Sequence, residues 1–184
     1  MTPYDAIVLA GGRSVRLGTD KTRVAVGGTP VLDRVLAAVA DARSRLVVGP
    51  SRPLADASRV RWLREDPPGS GPASGVACAV PYVASELVAV LAGDLPYVEP
   101  ATVSRLVEAT GDGDGAVLHD ADARPQWLCA VVRTTALRRQ VASRDDWAGA
   151  AMRELLDPLD LANVVSVGAE SHDIDTPDDI PSEP

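Results

Sequence analysis

Short apolar runs alternate with segments of helical periodicity along the whole chain, and no other feature restricts the fold as strongly. Runs at 5–9, 24–26, 45–48, 60–63, 87–91, 116–119, 127–132 and 163–167 read as strands. Segments 29–42, 73–82, 100–109, 134–142 and 147–156 read as helices. Thr29-Pro30 is expected to supply the N-cap and first position of the first helix, with Val31, Leu32, Val35, Leu36 and Val39 on its buried face. This order predicts an α/β protein with a mostly parallel sheet covered on both faces. The chain has three Trp, three Tyr and no Phe, so its core falls to Val, Leu, Ala and Ile, as in buried parallel strands. One domain over residues 1–184 is expected, with an acidic, proline-bearing tail at 177–184 that frays.

The net charge of -8 argues against a nonspecific nucleic-acid or anionic-membrane surface. An acidic protein still binds phosphates where backbone N–H groups and a metal ion supply local positive potential. Cys78 and Cys129 are isolated, with no C-x-x-C spacing, and read as small buried residues in a reducing cytoplasm. No signal peptide is recognised at the N-terminus, and no apolar run approaches the ~20 residues that span a bilayer, so a cytoplasmic protein is expected.

In sheets of this kind ligands gather at the carboxyl ends of the strands. Two polar turns follow predicted strands directly. The first lies in residues 9–21, Leu-Ala-Gly-Gly-Arg-Ser-Val-Arg-Leu-Gly-Thr-Asp-Lys. It is neither a Walker A loop nor G-x-G-x-x-G. Gly11-Gly12 permits close backbone approach, and successive N–H groups from Ala10 to Gly12 form a nest for an anion. Lys21 is the only lysine beside 17 arginines. Its compact ammonium suits a phosphate where a planar guanidinium does not. Arg16 adds charge to the same phosphates. Asp20 orients Lys21 or caps a turn.

The second turn is Gly93-Asp94-Leu95-Pro96, after an apolar strand. A carboxylate there is placed to hold Mg²⁺ beside bound phosphates, or is an ordinary turn aspartate. Glu65-Asp66 precedes a stretch of small residues from Gly69 to Gly75. Small residues let a flat base lie against the backbone, and Asp66 offers an acceptor to a base edge or ribose hydroxyl. A loop entering the next helix explains the same pattern. Asp175, before Thr176-Pro177, is a second metal ligand or serves a helix end. Arg124-Pro125-Gln126 reaches an acceptor substrate or turns a hairpin. His119 and His172 have no partner at recognisable spacing and read as structural.

Taken together these residues resemble the MobA-like nucleotidyltransferases. Residues 9–21 match the family's L-A-G-G, basic residue, R-[ML]-G-x-D-K signature. Gly71-Pro72-Ala73-Ser74-Gly75 is similar to its G-P-[LA]-x-G segment, with Asp66 as the upstream acid. Asp94-Leu95-Pro96 resembles its D-x-P turn, and Asp175-Thr176-Pro177 its closing [ND]-T-P. Two positions depart. Many members have Asn after the second strand, where this chain reads Val47-Val48-Gly49-Pro50, so that contact is absent or made by backbone. The closing Asn-x-Asn-Thr-Pro becomes Asp173-Ile-Asp175-Thr-Pro177, which raises local negative charge.

The resemblance implies a Rossmann-like three-layer α/β/α domain that uses an NTP and Mg²⁺. The G-P-x-x-G form is similar to that of the molybdenum cofactor guanylyltransferases. These join GMP, from GTP, to the terminal phosphate of molybdopterin. Leu9, Ala10, Gly11, Gly12, Lys21, Asp66, Gly71, Pro72 and Asp94 are then expected to bind nucleotide. Lys21, Arg16 and Asp94 are expected to act in catalysis, and Asp94 with Asp175 to hold metal. GTP and a molybdopterin-type acceptor are the expected substrates, and molybdoenzyme assembly proteins are further candidate partners. A cytidylyl- or sugar-phosphate transferase of the same fold, and a non-catalytic nucleotide-binding adaptor, are the alternatives.

Overall fold

The structure is a computed structural model, and it describes residues 2–11 and 24–172. Seven strands form one sheet in the order β5-β4-β1-β6-β8-β7-β9. They are β1 (Tyr4–Leu9), β4 (Arg45–Val48), β5 (Val60–Leu63), β6 (Leu87–Ala92), β7 (Gly115–His119), β8 (Pro125–Arg133) and β9 (Leu161–Val165). β8 runs antiparallel to both neighbours, β6 and β7, and the other pairings are parallel. β1 and β6 lie in the middle of the sheet and are the most apolar strands. Every residue of β6 is buried. That is the pattern expected of strands covered on both faces.

Helices α1 (Val31–Ala38) and α3 (Pro100–Ala109) pack on one face, against Ala6, Val8, Leu91, Leu118 and Val131. Helices α2 (Pro72–Ala79), α4 (Thr134–Val141) and α5 (Met152–Leu156) pack on the other, against Ile7, Val48, Val90, Val117 and Ala130. This alternation of even and odd positions follows from the two-residue period of a strand. The β1–α1–β4 and β6–α3–β7 crossovers step toward opposite edges of the sheet yet use the same face. They are therefore of opposite hand, a rarity among parallel crossovers.

Buried polar groups secure the strand ends. Asp5, at the start of β1, accepts hydrogen bonds from the backbone N–H groups of Ala84 (2.7 Å) and Ser85 (2.9 Å). Arg45 lies buried at the start of β4, where its guanidinium donates to Asp56 at 2.8 Å and to the Ser58 carbonyl. Its hydrogen bond, with those from Ser58, holds Asp56 well below the usual carboxylate range.

The sheet and its layers are those expected from the alternating pattern. Several boundaries differ. Thr29-Pro30 does not begin the first helix. It is β3, paired antiparallel with β2 (Ala25–Val26) across Gly27-Gly28, and Pro30 is itself the N-cap residue. Both glycines have positive φ (58° and 74°), the conformation that a two-residue hairpin turn requires. The last helix covers only Met152–Leu156 rather than 147–156. Gly149 (φ 77°) interrupts it, and the Trp147 indole N–H donates to the Val141 carbonyl (2.9 Å) rather than lying on a helix face. β9 ends two residues before the predicted limit, and Val167 is 64% exposed.

Candidate nucleotide site

The carboxyl ends of β1, β4 and β6 lie side by side, because Leu9 pairs with both Val48 and Ala92. The chain leaving β1 is held on both flanks. The Ala10 N–H donates to the Val48 carbonyl (2.8 Å), and the Gly93 N–H donates to the Leu9 carbonyl (2.9 Å). The Ala10 carbonyl accepts from the Arg52 guanidinium at 3.1 Å.

Glycines on those flanks allow the approach. A β-carbon at Gly49 would sit 2.7 Å from the Ala10 carbonyl carbon and 2.8 Å from the Gly11 nitrogen. One at Gly93 would sit 3.0 Å from the Leu9 oxygen. In this backbone position 49 has no room for a side chain. Gly11 is exposed at the rim.

The opposite wall is the loop into α2. Glu65 is buried and Asp66 beside it is exposed. Glu65 Oε1 accepts the Gly69 N–H at 2.8 Å and lies 3.9 Å from where a Gly11 β-carbon would be. Its Oε2 is buried without a hydrogen-bond partner among the described residues. Gly71 (φ 100°) leads into Pro72, the first residue of α2, which has no side-chain cap. Pro72 has no N–H, so the orphan donors of this helix start are the Ala73 and Ser74 N–H groups. Gly75 presses on Leu9, whose Cδ2 would be 3.2 Å from a β-carbon there. Cys78, one turn further, has its thiol pushed up by burial and by the charge of Glu65.

Asp94 is half-buried, two residues beyond β6. Its turn is tied to α1 by Arg34, whose Nε donates to the Pro96 carbonyl (2.8 Å). Leu9, Ala10, Gly11, Asp66, Gly71, Pro72 and Asp94 thus stand at one edge of the sheet. Gly12, Arg16, Lys21 and Asp175 lie outside the described residues. Among the described residues no three His, Cys, Asp or Glu side chains cluster as a ready metal cage. Among them also no helix is long and apolar enough to cross a membrane.

The sequence reading passed over Arg52 and named Gly49 and Glu65 without a role at this edge. Gly49 and Arg52 follow β4, and the signal for both was the turn Gly49-Pro50-Ser51-Arg52 directly after a predicted strand. Glu65 stood next to Asp66, and only the fold shows which of the two carboxylates faces inward.

Glycine-lined backbone at adjoining strand ends, faced by a helix start and the Asp94 turn, is an arrangement suited to the phosphates of a nucleotide. The MobA-like NTP transferase domain matches residues 6–163, and the chain belongs to that family. A probable molybdenum cofactor guanylyltransferase from Natronomonas pharaonis is 29% identical over 193 residues, covering 95% of this chain and 93% of that protein. Molybdopterin-guanine dinucleotide biosynthesis protein A from Archaeoglobus fulgidus has a similar fold (TM-score 0.68, 21% identity, 96% of this chain and 94% of that chain). So has 2-C-methyl-D-erythritol 4-phosphate cytidylyltransferase from Thermus thermophilus (TM-score 0.71, 21% identity, 95% and 94%).

Proposed function

We propose that the enzyme transfers GMP from GTP to the terminal phosphate of molybdopterin and releases pyrophosphate, the whole chain working as one domain. The observation that carries this reading is the convergence of Ala10-Gly11, Gly49 and Gly93 at the ends of β1, β4 and β6. It leaves bare backbone where a triphosphate needs N–H donors. The name of the Natronomonas relative supports the choice of GTP and acceptor.

An oxygen of the acceptor phosphate attacks the α-phosphorus of GTP in line. The bond from that phosphorus to the bridging oxygen breaks, and pyrophosphate leaves with the electron pair. No covalent enzyme intermediate is needed. Backbone N–H groups from Ala10 to Gly12 hold the triphosphate, with Arg16 and Lys21 supplying positive charge. The loop 65–75 receives the guanosine, and its acidic residues, Glu65 and Asp66, accept hydrogen bonds from the base edge or ribose. Holding the two phosphates in line and compensating their charge constitute the catalysis.

The Asp94 carboxylate is a hard oxygen donor, which fits Mg²⁺ as nucleotide sites hold it, with one or two carboxylates and the rest from phosphates and water. Asp94 and Asp175 would be its protein ligands, and the ion would neutralise charge on the α-phosphate and on pyrophosphate.

Thermal unfolding with Mg²⁺ and each of GTP, CTP, ATP and UTP tests the reading. A ligand at ~100 times its Kd stabilises the native state by ~2.7 kcal/mol, a shift of several degrees for this size. A shift with GTP alone is expected. A shift with CTP or UTP instead moves the assignment to the cytidylyl- or sugar-phosphate transferases.

A further inference from the structure

A second concavity lies beside the nucleotide edge, and no step above uses it. It measures ≈ 240 Å³ and is bounded by β7, β8, β9 and the end of α5. Its walls include Trp127, Pro125, His119, Asn163 and Asp157, with Leu156 and Leu159 closing one side. It opens on the α2 face of the sheet, because Val117 and Leu156 belong to the core layer under α2, α4 and α5. It stands toward the carboxyl end of β7, the same edge as Asp94. β7 is two strands from β6, about 10 Å at the usual strand spacing.

The sheet is broken at this point. Val117 pairs with Ala130, but Leu118 pairs with Gln126, so the β7–β8 ladder bypasses Trp127, Leu128 and Cys129. Such irregularities re-aim side chains beside functional sites. Trp127 is half-buried and lines the cavity. Neither its indole N–H nor the Asn163 carboxamide has a hydrogen-bond partner among the described residues. His119 Nδ1 is satisfied by the Ala123 carbonyl at 3.1 Å, so the neutral ring offers Nε2 as an acceptor. Among the described residues the Asp157 carboxylate meets the exposed Arg153 Nε, at 3.7 Å.

These groups describe one kind of ligand. An indole and leucine walls accept a flat ring. A carboxylate and an imidazole nitrogen accept N–H donors, and a carboxamide both donates and accepts. The volume is below the roughly 300–1,000 Å³ of pockets that enclose a whole drug-sized ligand, and suits one fused ring pair. We propose that this cavity holds the ring system of the acceptor, a nitrogen heterocycle of the pterin class, with Trp127, Asn163 and Asp157 recognising it. The proposal rests on the acceptor reading above. The phosphate of such an acceptor extends across β8 toward Asp94.

The test is direct binding of 6-hydroxymethylpterin to the full chain without nucleotide, followed by pterin fluorescence. Trp127→Leu, Asn163→Leu and Asp157→Asn are compared with the parent protein. The GTP–Mg²⁺ thermal shift serves as the folding and nucleotide control for each. The parent binds pterin, and each variant weakens binding about tenfold or more while its GTP shift is unchanged. Equal pterin binding by all four proteins overturns the site. So does an absence of pterin binding by a parent that still shifts with GTP. Pterin binding that these variants weaken, in a protein that no nucleotide shifts, upholds the cavity and overturns the nucleotide assignment instead. A variant that loses both signals is set aside for the other two, which lie on separate elements.

Discussion

Gly49 faces Ala10 so closely that a β-carbon on the first would lie 2.7 Å from the carbonyl carbon of the second. The backbone there is also one that only glycine adopts readily, with φ at 150°. Gly49→Ala is therefore expected to cost about 1–3 kcal/mol, as overpacked backbone contacts do. Gly49→Asn, which adds a larger side chain at the same point, fares no better. Urea denaturation with an unchanged m-value checks this, and a variant as stable as the parent shows that the turn can be remade.

Lys21→Ala and Asp94→Ala are each expected to lose at least ~10²-fold in GMP transfer while keeping the far-UV spectrum of the parent. Near-normal turnover in either removes that residue from the mechanism.

Glu170 binds Arg105 through both carboxylate oxygens (3.0 and 2.6 Å) and accepts from the Thr102 hydroxyl (2.6 Å) and the Val167 N–H (2.8 Å). Burial alone pushes its carboxyl up, but these bonds outweigh burial and hold it below the usual range. Its stabilisation is thus complete above the unfolded value of about 4.3 and fades as pH falls through the lower folded value. Glu170→Ala is expected to cost about 1.5–3 kcal/mol at pH 7 and progressively less in acid. Denaturation midpoints across that acid window measure the difference. A gap between parent and variant that stays constant with pH contradicts the ionised pair.

Cys129 is fully buried, and its thiol is pushed up to about 12, chiefly by burial. Only the thiolate reacts. In the native protein Cys129 should resist a thiol reagent at neutral pH, while half-buried Cys78 reacts slowly. Unfolding should release both at full speed. Rapid native labelling of two thiols per chain contradicts the packing.

The strands and the mostly parallel sheet were legible because β6 and residues 6–9 of β1 are pure Val, Leu, Ile and Ala, and because each strand is closed by a glycine-bearing turn. The turns at residues 10–11 and 93–96 were legible as neighbours because adjoining parallel strands present their carboxyl ends at one edge, whereas Gly71 and Pro72 joined them only through the family resemblance. What was hidden depends on pairing across distance. Nothing local marks β8 as antiparallel, and Trp127 reads simply as a strand residue until the ladder is seen to skip it. Thr29-Pro30 carries a genuine helix-start signal. The hairpin with Ala25-Val26 claims it first, and the helix begins one residue later.

β8 holds a further meaning for how the molecule comes together. Among the described strands it is the sole one that joins the four-strand block β5-β4-β1-β6 to the pair β7-β9. On an emerging chain, β7 is made before the strand that must separate it from β6, so both wait with open edges until residues 125–133 appear. The carboxyl ends of β1, β4 and β6 belong to the block synthesised first, and the cavity beside Trp127 to the portion that needs β8 and β9. The cavity beside Trp127 therefore exists only once a late strand has been wedged into an early sheet.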